Sequence, residues 1–387
     1  MVMETKSIPI LILGCGGVGR HLLRHILSCR SLHSQMGLVL RVVGVADSRS
    51  LLAVSDAAAA AAAATASMDD AFLAELCRSK SSGSPLSSLV RLGGCQLFTD
   101  SEAKGKIIDV ARLLSTSTGL AVVDCSASSE TVDTLKEVMS LGCCVVLANK
   151  KPLTCAIEDF EKLVFHFRRI RFESTVCRSW SSSNSFCNPY YCIRRPISRI
   201  MGSLSGTLGY VMSELEDGKP FSQVVKAAKS LGFTEPDPRD DLSGMDVARK
   251  GLILARLLGW KMSLNDIKVE SLYPSEFGPG SMTTEVFLGS AISQLDKSIE
   301  ERVTAASSKG NVLRYVCVIE NSRCQVGLQE IPKDSPLGRL RGSDNVVEIC
   351  SRCYANSPLV IQGAGAGNDT TAAGVLADII DLQDLFK

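Results

Sequence analysis

Residues 8–27 read IPILILGCGGVGRHLLRHIL, and this stretch decides the fold class of the chain. An apolar run suited to a buried parallel strand leads into glycines at G-x-G-x-x-G spacing, and apolar residues at helical period follow. This order is typical of a Rossmann-type domain, in which the loop and the helix N-terminus approach a dinucleotide pyrophosphate. A plain glycine-rich turn is the alternative interpretation. The predicted cofactor-binding residues are Gly14, Gly16, Gly17, Val18 and Gly19.

The composition indicates a two-domain globular protein that acts on small molecules. The chain has 387 residues, 45% of them hydrophobic, and a formal net charge of +1. Because it lacks blocks of like charge, no nucleic acid partner is expected. The segment IPILILG is too short to span a membrane and no charged leader precedes it, which predicts a cytoplasmic location without membrane contact. The 15 cysteines are irregularly spaced, so we expect reduced thiols.

The second predicted strand, LRVVGVADSRS, ends in residues that suit a nucleotide ribose. Asp47 stands where a Rossmann-type domain places an acid for the ribose hydroxyls. Ser48 and Arg49 follow it and could receive a 2′-phosphate, since arginine presents planar donors to phosphate. The sequence therefore leaves both NAD and NADP open. A turn-forming or helix-capping role for Asp47 is the alternative.

Two later strands also end in polar residues. The segment LAVVDCSAS ends at Ser126 and Ser128, which suit a loop beside a nicotinamide ribose, and GCCVVLANKKPL carries Lys150 directly after its strand. Because ligands of doubly wound sheets bind at the carboxyl ends of strands, we expect these residues at the cofactor site. Elsewhere, adjacent lysines would usually belong to a solvated loop.

A third candidate site lies in residues 231–260, LGFTEPDPRDDLSGMDVARKGLILARLLGW. Asp241 or Ser243 is expected to cap the helix that follows the acidic loop. Asp246 and Lys250 then share one helical face, where a surface ion pair would be worth only about 0.3–0.5 kcal/mol. The helix is largely apolar, however, so a lysine in a cleft with an acidic partner is the functional alternative. No histidine falls in these loops, which favours lysine and carboxylate chemistry over a histidine base or a zinc site.

Together these motifs resemble those of homoserine dehydrogenases of the monofunctional plant type. The resemblance covers nearly the whole chain, and TEPDPRDDLSGMDVARK is its most specific part. The other segments that carry it are the first glycine loop, ANKKPL, RFESTV, GSLSGTLGYVMSELEDG and QGAGAGNDTTAAGVLADI. It implies an α/β fold with a Rossmann-type nucleotide-binding domain in residues 1–150. An α+β substrate-binding and dimerisation domain with a mixed sheet would occupy 151–350, and residues 351–387 would return to the first domain.

The resemblance also implies an activity. It is the NAD- or NADP-dependent interconversion of L-homoserine and L-aspartate 4-semialdehyde, in the biosynthesis of threonine, methionine and isoleucine, by a homodimer. The implied catalytic residues are Lys150 and Lys250, and which of them carries the proton stays open. Lys150 is implied to contact the cofactor as well. The implied substrate-binding acids are Glu235, Asp240 and Asp246.

Further expectations from the resemblance concern the cofactor, a cation and regulation. Gly365 and Gly367 are implied to contact the cofactor, although a helix that enters the fold over tight glycines is the alternative. A monovalent cation, Na⁺, is implied near Glu173 and Val176. Neither an aspartate kinase segment nor a regulatory ACT domain is expected, so threonine should not inhibit the chain.

Residues 177–196, CRSWSSSNSFCNPYYCIRRP, depart from the family, in which ESTV continues as GAGLPVI, an apolar helix and a segment like SGDP. The stretch has neither helical nor strand periodicity, and its cysteines lack metal-ligand spacing. One allowed codon set for YYCIRRP reads IIASGD in a shifted frame. We therefore hypothesise a compensated frameshift or a mis-predicted splice junction. A transcript with one continuous frame encoding these residues would contradict this.

Two other functions stay open because of that segment and the general nature of the first motif. One is a catalytically impaired NADP-binding homologue, which would bind the cofactor without turnover. The other is a dehydrogenase for a different amino-acid or hydroxy-acid substrate, which a substrate panel would reveal.

Overall fold

The computed structural model describes residues 5–55, 66–176, 197–365 and 367–386. The chain divides into two compact units, Met1–Thr175 with Gly367–Lys387 and Val176–Ala366. The anomalous segment 177–196 lies outside the described residues. The boundaries expected after residues 150 and 350 fall earlier than those of the units, because each would cut off a strand that completes a sheet.

The first unit is built on a seven-stranded sheet. Its elements up to residue 171 are β1 (Lys6–Leu13), α1 (Gly17–Ser28), α2 (Arg30–Gln35), β2 (Leu38–Ala46), β3 (Ser50–Val54), α3 (Asp70–Ser81), β4 (Cys95–Thr99), α4 (Asp100–Ser115), β5 (Ala121–Asp124), α5 (Thr131–Ser140), β6 (Cys144–Leu147), α6 (Ile157–Val164) and β7 (Ile170–Arg171).

The strand order of this sheet is β4-β3-β2-β1-β5-β6-β7. Five neighbouring strands, β2, β1, β5, β6 and β7, pair with one another in parallel. This arrangement confirms the Rossmann-type prediction. Strands β3 and β4 pair antiparallel at one edge and were not expected. The turn after Asp47 is therefore a hairpin turn between β2 and β3.

The centre of the sheet explains why its polar strand ends meet. Ile8, Ile10 and Ile12 of β1 are fully buried, as expected for a parallel strand covered on both faces. In register, Leu13 lies beside Ala46 of β2 on one side and Asp124 of β5 on the other. The first glycine loop, Asp47 and the residues after Asp124 thus leave the sheet at the same edge.

The second unit contains a six-stranded sheet. Its elements are β8 (Ile197–Ser203), α7 (Gly206–Glu216), α8 (Phe221–Ser230), α9 (Pro238–Leu242), α10 (Met245–Leu257), β9 (Lys268–Val269), α11 (Thr284–Val286), α12 (Asp296–Ser307), β10 (Asn311–Glu320), β11 (Arg323–Pro332), β12 (Asp344–Ser351) and β13 (Leu359–Ala364). The chain then returns to the first unit as α13 (Asn368–Asp381).

The sheet of the second unit has the order β13-β12-β8-β10-β11-β9. Strand β9 pairs in parallel with β11, and the other neighbours pair antiparallel. The prediction of an α+β unit with a mixed sheet is confirmed.

Helix α10 packs against β10 and β11 of this sheet. A Cβ added at Gly251 would lie 2.7 Å from Cys317 Sγ and 2.9 Å from Cys324 Sγ, so only a glycine allows this approach. At the start of the helix, Gly244 has φ +73°, and a Cβ there would lie 1.9 Å from the Tyr315 hydroxyl. These close contacts at Gly244 and Gly251 determine how near α10 lies to the sheet.

The described residues hold neither a metal cluster nor a membrane helix. No group of three or more His, Cys, Asp or Glu side chains in these ranges is arranged to hold a metal ion. No helix in the same ranges is both long and apolar enough to cross a membrane. The cysteines there are free thiols, and burial raises the pKa of Cys15 to about 12, which suppresses its reactivity at neutral pH.

Candidate active site

The first glycine loop closes tightly on neighbouring backbone. Gly14 has φ +96°, and a Cβ there would lie 2.6 Å from the backbone nitrogen of Ser126. A Cβ on Gly19 would lie 2.1 Å from the carbonyl oxygen of Gly14. Gly16 begins α1 without a side-chain cap, and nothing lies within 4 Å of its added Cβ. The loop therefore combines obligatory glycines with an open position at the helix N-terminus, as a phosphate loop requires.

The second glycine turn brings a second helix start to the first one. Gly367 has φ +121° and precedes α13. The carboxamide of Asn368, the first residue of that helix, lies 2.5 Å from where Gly17 would carry a Cβ. The N-termini of α1 and α13 are thus neighbours. Each helix directly follows a glycine, Gly16 or Gly367, that provides no side-chain cap.

Gly365 belongs to the second unit, and its surroundings there explain the absence of a side chain. A Cβ at this position would lie 1.9 Å from Asn345 Nδ2. Asn345 is fully buried, and within the described part of the chain neither polar atom of its carboxamide has a hydrogen-bond partner. Packing on Asn345 therefore requires a glycine at position 365, and contact of Gly365 with a cofactor stays a prediction.

Asp47 is held by its own hairpin turn and by a lysine that sequence reasoning missed. Asp47 Oδ1 accepts hydrogen bonds from the backbone nitrogens of Arg49 and Ser50, at 3.1 and 3.0 Å. Lys80 Nζ lies 2.9 Å from Asp47 Oδ2, and both side chains are less than one-fifth exposed. Burial acts to raise the pKa of Asp47, but these bonds outweigh it and the pKa lies below its usual range. Ser48 and Arg49 are exposed at the tip of the turn.

The polar residues after β5 and β6 form one network around Asp124, which sequence reasoning also missed. Asp124 is fully buried and accepts hydrogen bonds from Ser126 N, Thr131 Oγ1 and Asn149 Nδ2 at 2.9, 2.7 and 3.1 Å. The predicted cofactor residues Ser126 and Ser128 lie in this network. Ser126 Oγ accepts from Ser128 N at 3.3 Å, and Ser128 Oγ accepts from Glu130 N at 3.1 Å. Both hydroxyl oxygens thus shape the loop itself.

Lys150 follows Asn149 at the start of a short 3₁₀ turn, Lys151–Leu153. The residue is half-buried, whereas Lys151 is exposed. The carbonyl oxygen of Lys150 accepts hydrogen bonds from Leu153 N at 3.1 Å and Thr154 Oγ1 at 3.2 Å. Two hydrogen bonds therefore hold the carbonyl group of Lys150 in this turn.

In the second unit, Lys250 lies in the middle of α10 and is only 7% exposed. Its Nζ donates to the carbonyl oxygen of Leu204 at 2.5 Å, in the loop between β8 and α7. Asp246 Oδ2 lies 3.1 Å from the same nitrogen, which confirms the predicted i, i+4 pair. Because Lys250 is buried, this pair differs from the exposed ion pair that was the alternative.

The acidic loop before α10 is organised by Asp241. Its carboxylate accepts hydrogen bonds from Glu235 N at 2.8 Å and from Thr207 Oγ1 at 3.0 Å. Burial raises the pKa of Asp241, and the nearby carboxylates of Glu235 and Asp246 act in the same direction. Glu235 and Asp240 are themselves exposed. The structure thus places Asp241 inside the loop and leaves its predicted neighbours free to meet solvent or a ligand.

Of the two expected caps of α10, Ser243 bonds the start of the helix, whereas Asp241 accepts from Glu235 N and Thr207 Oγ1. Gly244 directly precedes the helix in the left-handed conformation and has no side-chain cap. Ser243 Oγ accepts a hydrogen bond from Met245 N, in the first residue of the helix, at 3.3 Å. The close approach of the Tyr315 hydroxyl excludes a side chain at position 244 itself.

A buried arginine stabilises the acidic loop before α10. Arg239 is 2% exposed, and its guanidinium donates to the carboxylate of Asp237 and to the carbonyl oxygen of Met282, at 2.6 and 2.8 Å. The hydrogen bonds from Arg239 lower the pKa of Asp237 to about 2. Asp237 and Arg239 are therefore structural members of TEPDPRDD.

Glu173, one of the two predicted cation residues, lies near the carboxyl groups of Asp378 and Asp381 in the first unit. Burial, together with the carboxylate of Asp381, raises the pKa of Glu173 to about 7, and Arg171 acts against this shift. Asp378 is 3% exposed, and its Oδ2 has no hydrogen-bond partner among the residues that the structure describes. Such an orphaned carboxylate oxygen near Glu173 suits a cation. The Na⁺ site at Glu173 and Val176 stays a prediction.

Glu173→Gln should stabilise the protein above pH 7. Because the pKa of Glu173 is raised to about 7 in the folded state, its contribution is most favourable below the unfolded value and is lost as pH rises through 7. The neutral amide avoids this loss, worth roughly 1–2 kcal/mol after discounting for partial exposure. Thermal unfolding at pH 5 and pH 8 in sodium-free buffer measures the difference. Equal midpoint shifts at both pH values would contradict the prediction.

The fold and the site together define a class of protein. A glycine loop on a Rossmann-type sheet, with a buried lysine and acidic loop on a separate α+β unit, is the arrangement of an NAD(P)-dependent oxidoreductase.

Comparisons with known proteins identify the family within this class. A family model for homoserine dehydrogenases matches residues 191–380, starting inside the segment expected to depart from the family. The homoserine dehydrogenase of Paracoccidioides brasiliensis is 33% identical over 404 positions, covering 99% of each chain. The chain belongs to the homoserine dehydrogenase family, and the predicted resemblance is confirmed.

The other matches compare the length and the fold of this chain with those of similar proteins. The chain spans between 29% and 43% of the length of the bifunctional aspartokinase/homoserine dehydrogenases that it matches in bacteria and plants. A solved Candida auris protein of unknown function is 28% identical, with a TM-score of 0.81, and the match covers 98% of this chain and 99% of that one. A hyperthermophilic archaeal homoserine dehydrogenase in complex with NADPH shares the fold, with a TM-score of 0.69 and 20% identity over 98% of this chain and 99% of that one.

Proposed function

We propose that the chain interconverts L-homoserine and L-aspartate 4-semialdehyde with NADP as the preferred cofactor. The observation that carries this proposal is the buried Lys250, held 2.5 Å from Leu204 O and 3.1 Å from Asp246, in the segment most specific to the family. In the oxidation, C4 of homoserine loses a hydride and its hydroxyl loses a proton. Lys250 or Lys150 accepts that proton in its neutral amine form and becomes an ammonium group, and the reverse reaction returns the proton.

The residues of the first unit suit a dinucleotide. The uncapped start of α1 at Gly16 and that of α13 at Gly367 would hold the pyrophosphate. When bound, the nicotinamide supplies the acceptor or donor of the hydride. Arg49 and Lys80 flank Asp47 and would offer positive charge to a 2′-phosphate, which favours NADP over NAD.

The acids of the second unit would bind the substrate ammonium group. We infer this role for Glu235, Asp240 and Asp246. The carboxylates of Glu235 and Asp246 lie near enough to Asp241 to raise its pKa, and Asp240 directly precedes it in the chain. Asp241 holds Thr207 and the backbone of Glu235, so its role would be to shape the loop.

The test is reduction of NADP⁺ by the purified chain with L-homoserine. Formation of NADPH, with L-aspartate 4-semialdehyde as product, supports the proposal. NADPH binding without turnover would favour the impaired homologue that segment 177–196 suggested, and turnover with another hydroxy-acid would favour the other alternative. A homodimer stays a prediction, which analytical ultracentrifugation would test.

Lys80→Ala should raise the KM for NADP⁺ by roughly tenfold and leave the KM for NAD⁺ nearly unchanged. Removing Lys80 takes away a charge 2.9 Å from Asp47 and leaves that carboxylate to repel a 2′-phosphate, whereas NAD⁺ lacks this phosphate. Initial rates with both cofactors measure the ratio. An equal loss with both would show that Lys80 only supports the hairpin.

A further inference from the structure

The side chain of Asn149 joins three segments of the first unit. Its Nδ2 donates to Ser128 O at 2.7 Å, to Asp124 Oδ2 at 3.1 Å and to Ser126 Oγ at 3.3 Å. Its Oδ1 accepts from the backbone nitrogen of Lys151 at 3.1 Å. Asn149 is 4% exposed. One buried carboxamide thus links the end of β5, the loop after it and the turn that contains Lys150.

Asp124 determines which way this carboxamide points. A carboxylate only accepts hydrogen bonds, so Asn149 must turn its NH₂ group toward Asp124 Oδ2. A flipped carboxamide would place Oδ1 against both that carboxylate and the carbonyl oxygen of Ser128. The remaining orientation is the one that offers Oδ1 to Lys151 N.

The carboxylate of Asp124 is itself held by hydrogen bonds from two other residues. Thr131 Oγ1 donates to Asp124 Oδ2 at 2.7 Å, and Ser126 N donates to Oδ1 at 2.9 Å. The backbone carbonyl of Asp124 accepts from Ala148 N and Asn149 N, at 2.9 and 3.2 Å. Side chain and backbone of the same buried residue therefore hold the segment that precedes Lys150.

We propose that Asn149 is a positioning residue for Lys150 and that Asp124 sets the orientation of Asn149. The carboxamide bonds the peptide nitrogen directly after Lys150, and the 3₁₀ turn begins at that point. The direction in which the Lys150 side chain leaves the backbone thus depends on Asn149. This inference rests on the proposed function, because it assigns Asn149 a role only through a lysine of the reaction.

The test is a double-mutant cycle with Asn149→Ala and Lys150→Ala in the full chain. Asn149→Ala should lower kcat roughly tenfold to a hundredfold, since a displacement of about 1 Å of a reacting group costs up to this much. In the Lys150→Ala background, the same substitution should have no further effect on kcat at saturating cofactor, because the group that it positions is absent. Losses that multiply would overturn the positioning role.

Two further variants keep the result interpretable if Asn149→Ala folds poorly. Asn149→Asp keeps the shape but places a second carboxylate next to Asp124, and it should lower kcat at least as much as alanine does. Ser213→Ala removes a buried hydroxyl that bridges Gly209 O and Gly342 N in the other unit. It is the matched control and should leave kcat within about twofold, because both of its hydrogen bonds stay within the second unit.

The outcomes separate this inference from the proposed function. If Lys150→Ala retains the full rate of homoserine oxidation, the role of Lys150 fails and with it the reason for positioning. If Lys150→Ala is slow and Asn149→Ala retains the wild-type kcat with an unchanged thermal midpoint, only the positioning role is overturned.

Discussion

Lys250→Ala should lower kcat for homoserine oxidation by about 10²–10⁴-fold, the range in which a positioned proton-transfer group contributes. Lys250 is 7% exposed, and its Nζ is fixed by Leu204 O and Asp246 Oδ2. Alanine removes the proton acceptor, and no other lysine is placed on α10 to replace it. Steady-state kinetics with L-homoserine and NADP⁺ measure the loss.

The Lys250→Arg variant distinguishes a role of Lys250 in proton transfer from a role of its positive charge alone. Arginine keeps a positive charge but does not release its proton at neutral pH. If Lys250 accepts the hydroxyl proton, the arginine variant should be nearly as slow as the alanine variant. If the charge alone holds the substrate, arginine should recover much of the rate. Near-normal rates in Lys250→Ala would contradict the assignment, and Lys150 would become the proton carrier.

The stability of the Lys250 variant must be followed at the same time. The variant removes the buried lysine of this ion pair, while the carboxylate of Asp246 is 46% exposed and water can solvate it. The folded fraction should therefore change less than kcat does. Circular dichroism and the thermal midpoint would show whether lost activity reflects lost structure.

The parts of the site that the sequence could predict are those set by local spacing. The G-x-G-x-x-G loop, the strand ends and the i, i+4 pair of Asp246 and Lys250 each depend on residues close together in the chain. The structure places all three where these periodicities indicate. The family resemblance added the functional roles that spacing alone does not supply.

The contacts that sequence reasoning missed join residues far apart in the chain. Lys80 reaches Asp47 across 33 residues, and Asn149 reaches Asp124 across 25. Such contacts depend on how strands and helices pack, which no single-sequence pattern reports. Strand β3 was missed for a related reason: its five residues, Ser50–Val54, follow a turn that resembles an ordinary strand end.

The glycines also fall into two groups: those that motif spacing identifies and those that only packing contacts explain. The motif identifies Gly14 and Gly19 from their spacing, and close backbone contacts explain both. It does not indicate that Gly244 starts α10 against Tyr315, or that Gly365 packs on Asn345. These two positions are set by residues that come much later or earlier in the chain.

Gly19→Ala should destabilise the protein by about 1–3 kcal/mol, which is the usual cost of overpacking, and should abolish measurable NADPH binding. Its Cβ would lie 2.1 Å from the carbonyl oxygen of Gly14, so the loop or the first turn of α1 must shift. A shifted loop no longer presents its backbone nitrogens to a pyrophosphate. Thermal unfolding with and without NADPH measures both effects, because a ligand at 100 times its Kd stabilises by about 2.7 kcal/mol.

Gly16→Ala is the matched control for the stability of the protein without cofactor. It lies in the same loop, but nothing stands within 4 Å of the added Cβ. Alanine in place of a capping glycine should cost less than about 1 kcal/mol, partly offset by the lower entropy of the unfolded chain. If both variants lose equal stability, the close contact between Gly19 and Gly14 is not the cause. If Gly19→Ala alone loses stability yet still binds NADPH, the loop contributes to the fold but does not hold the cofactor.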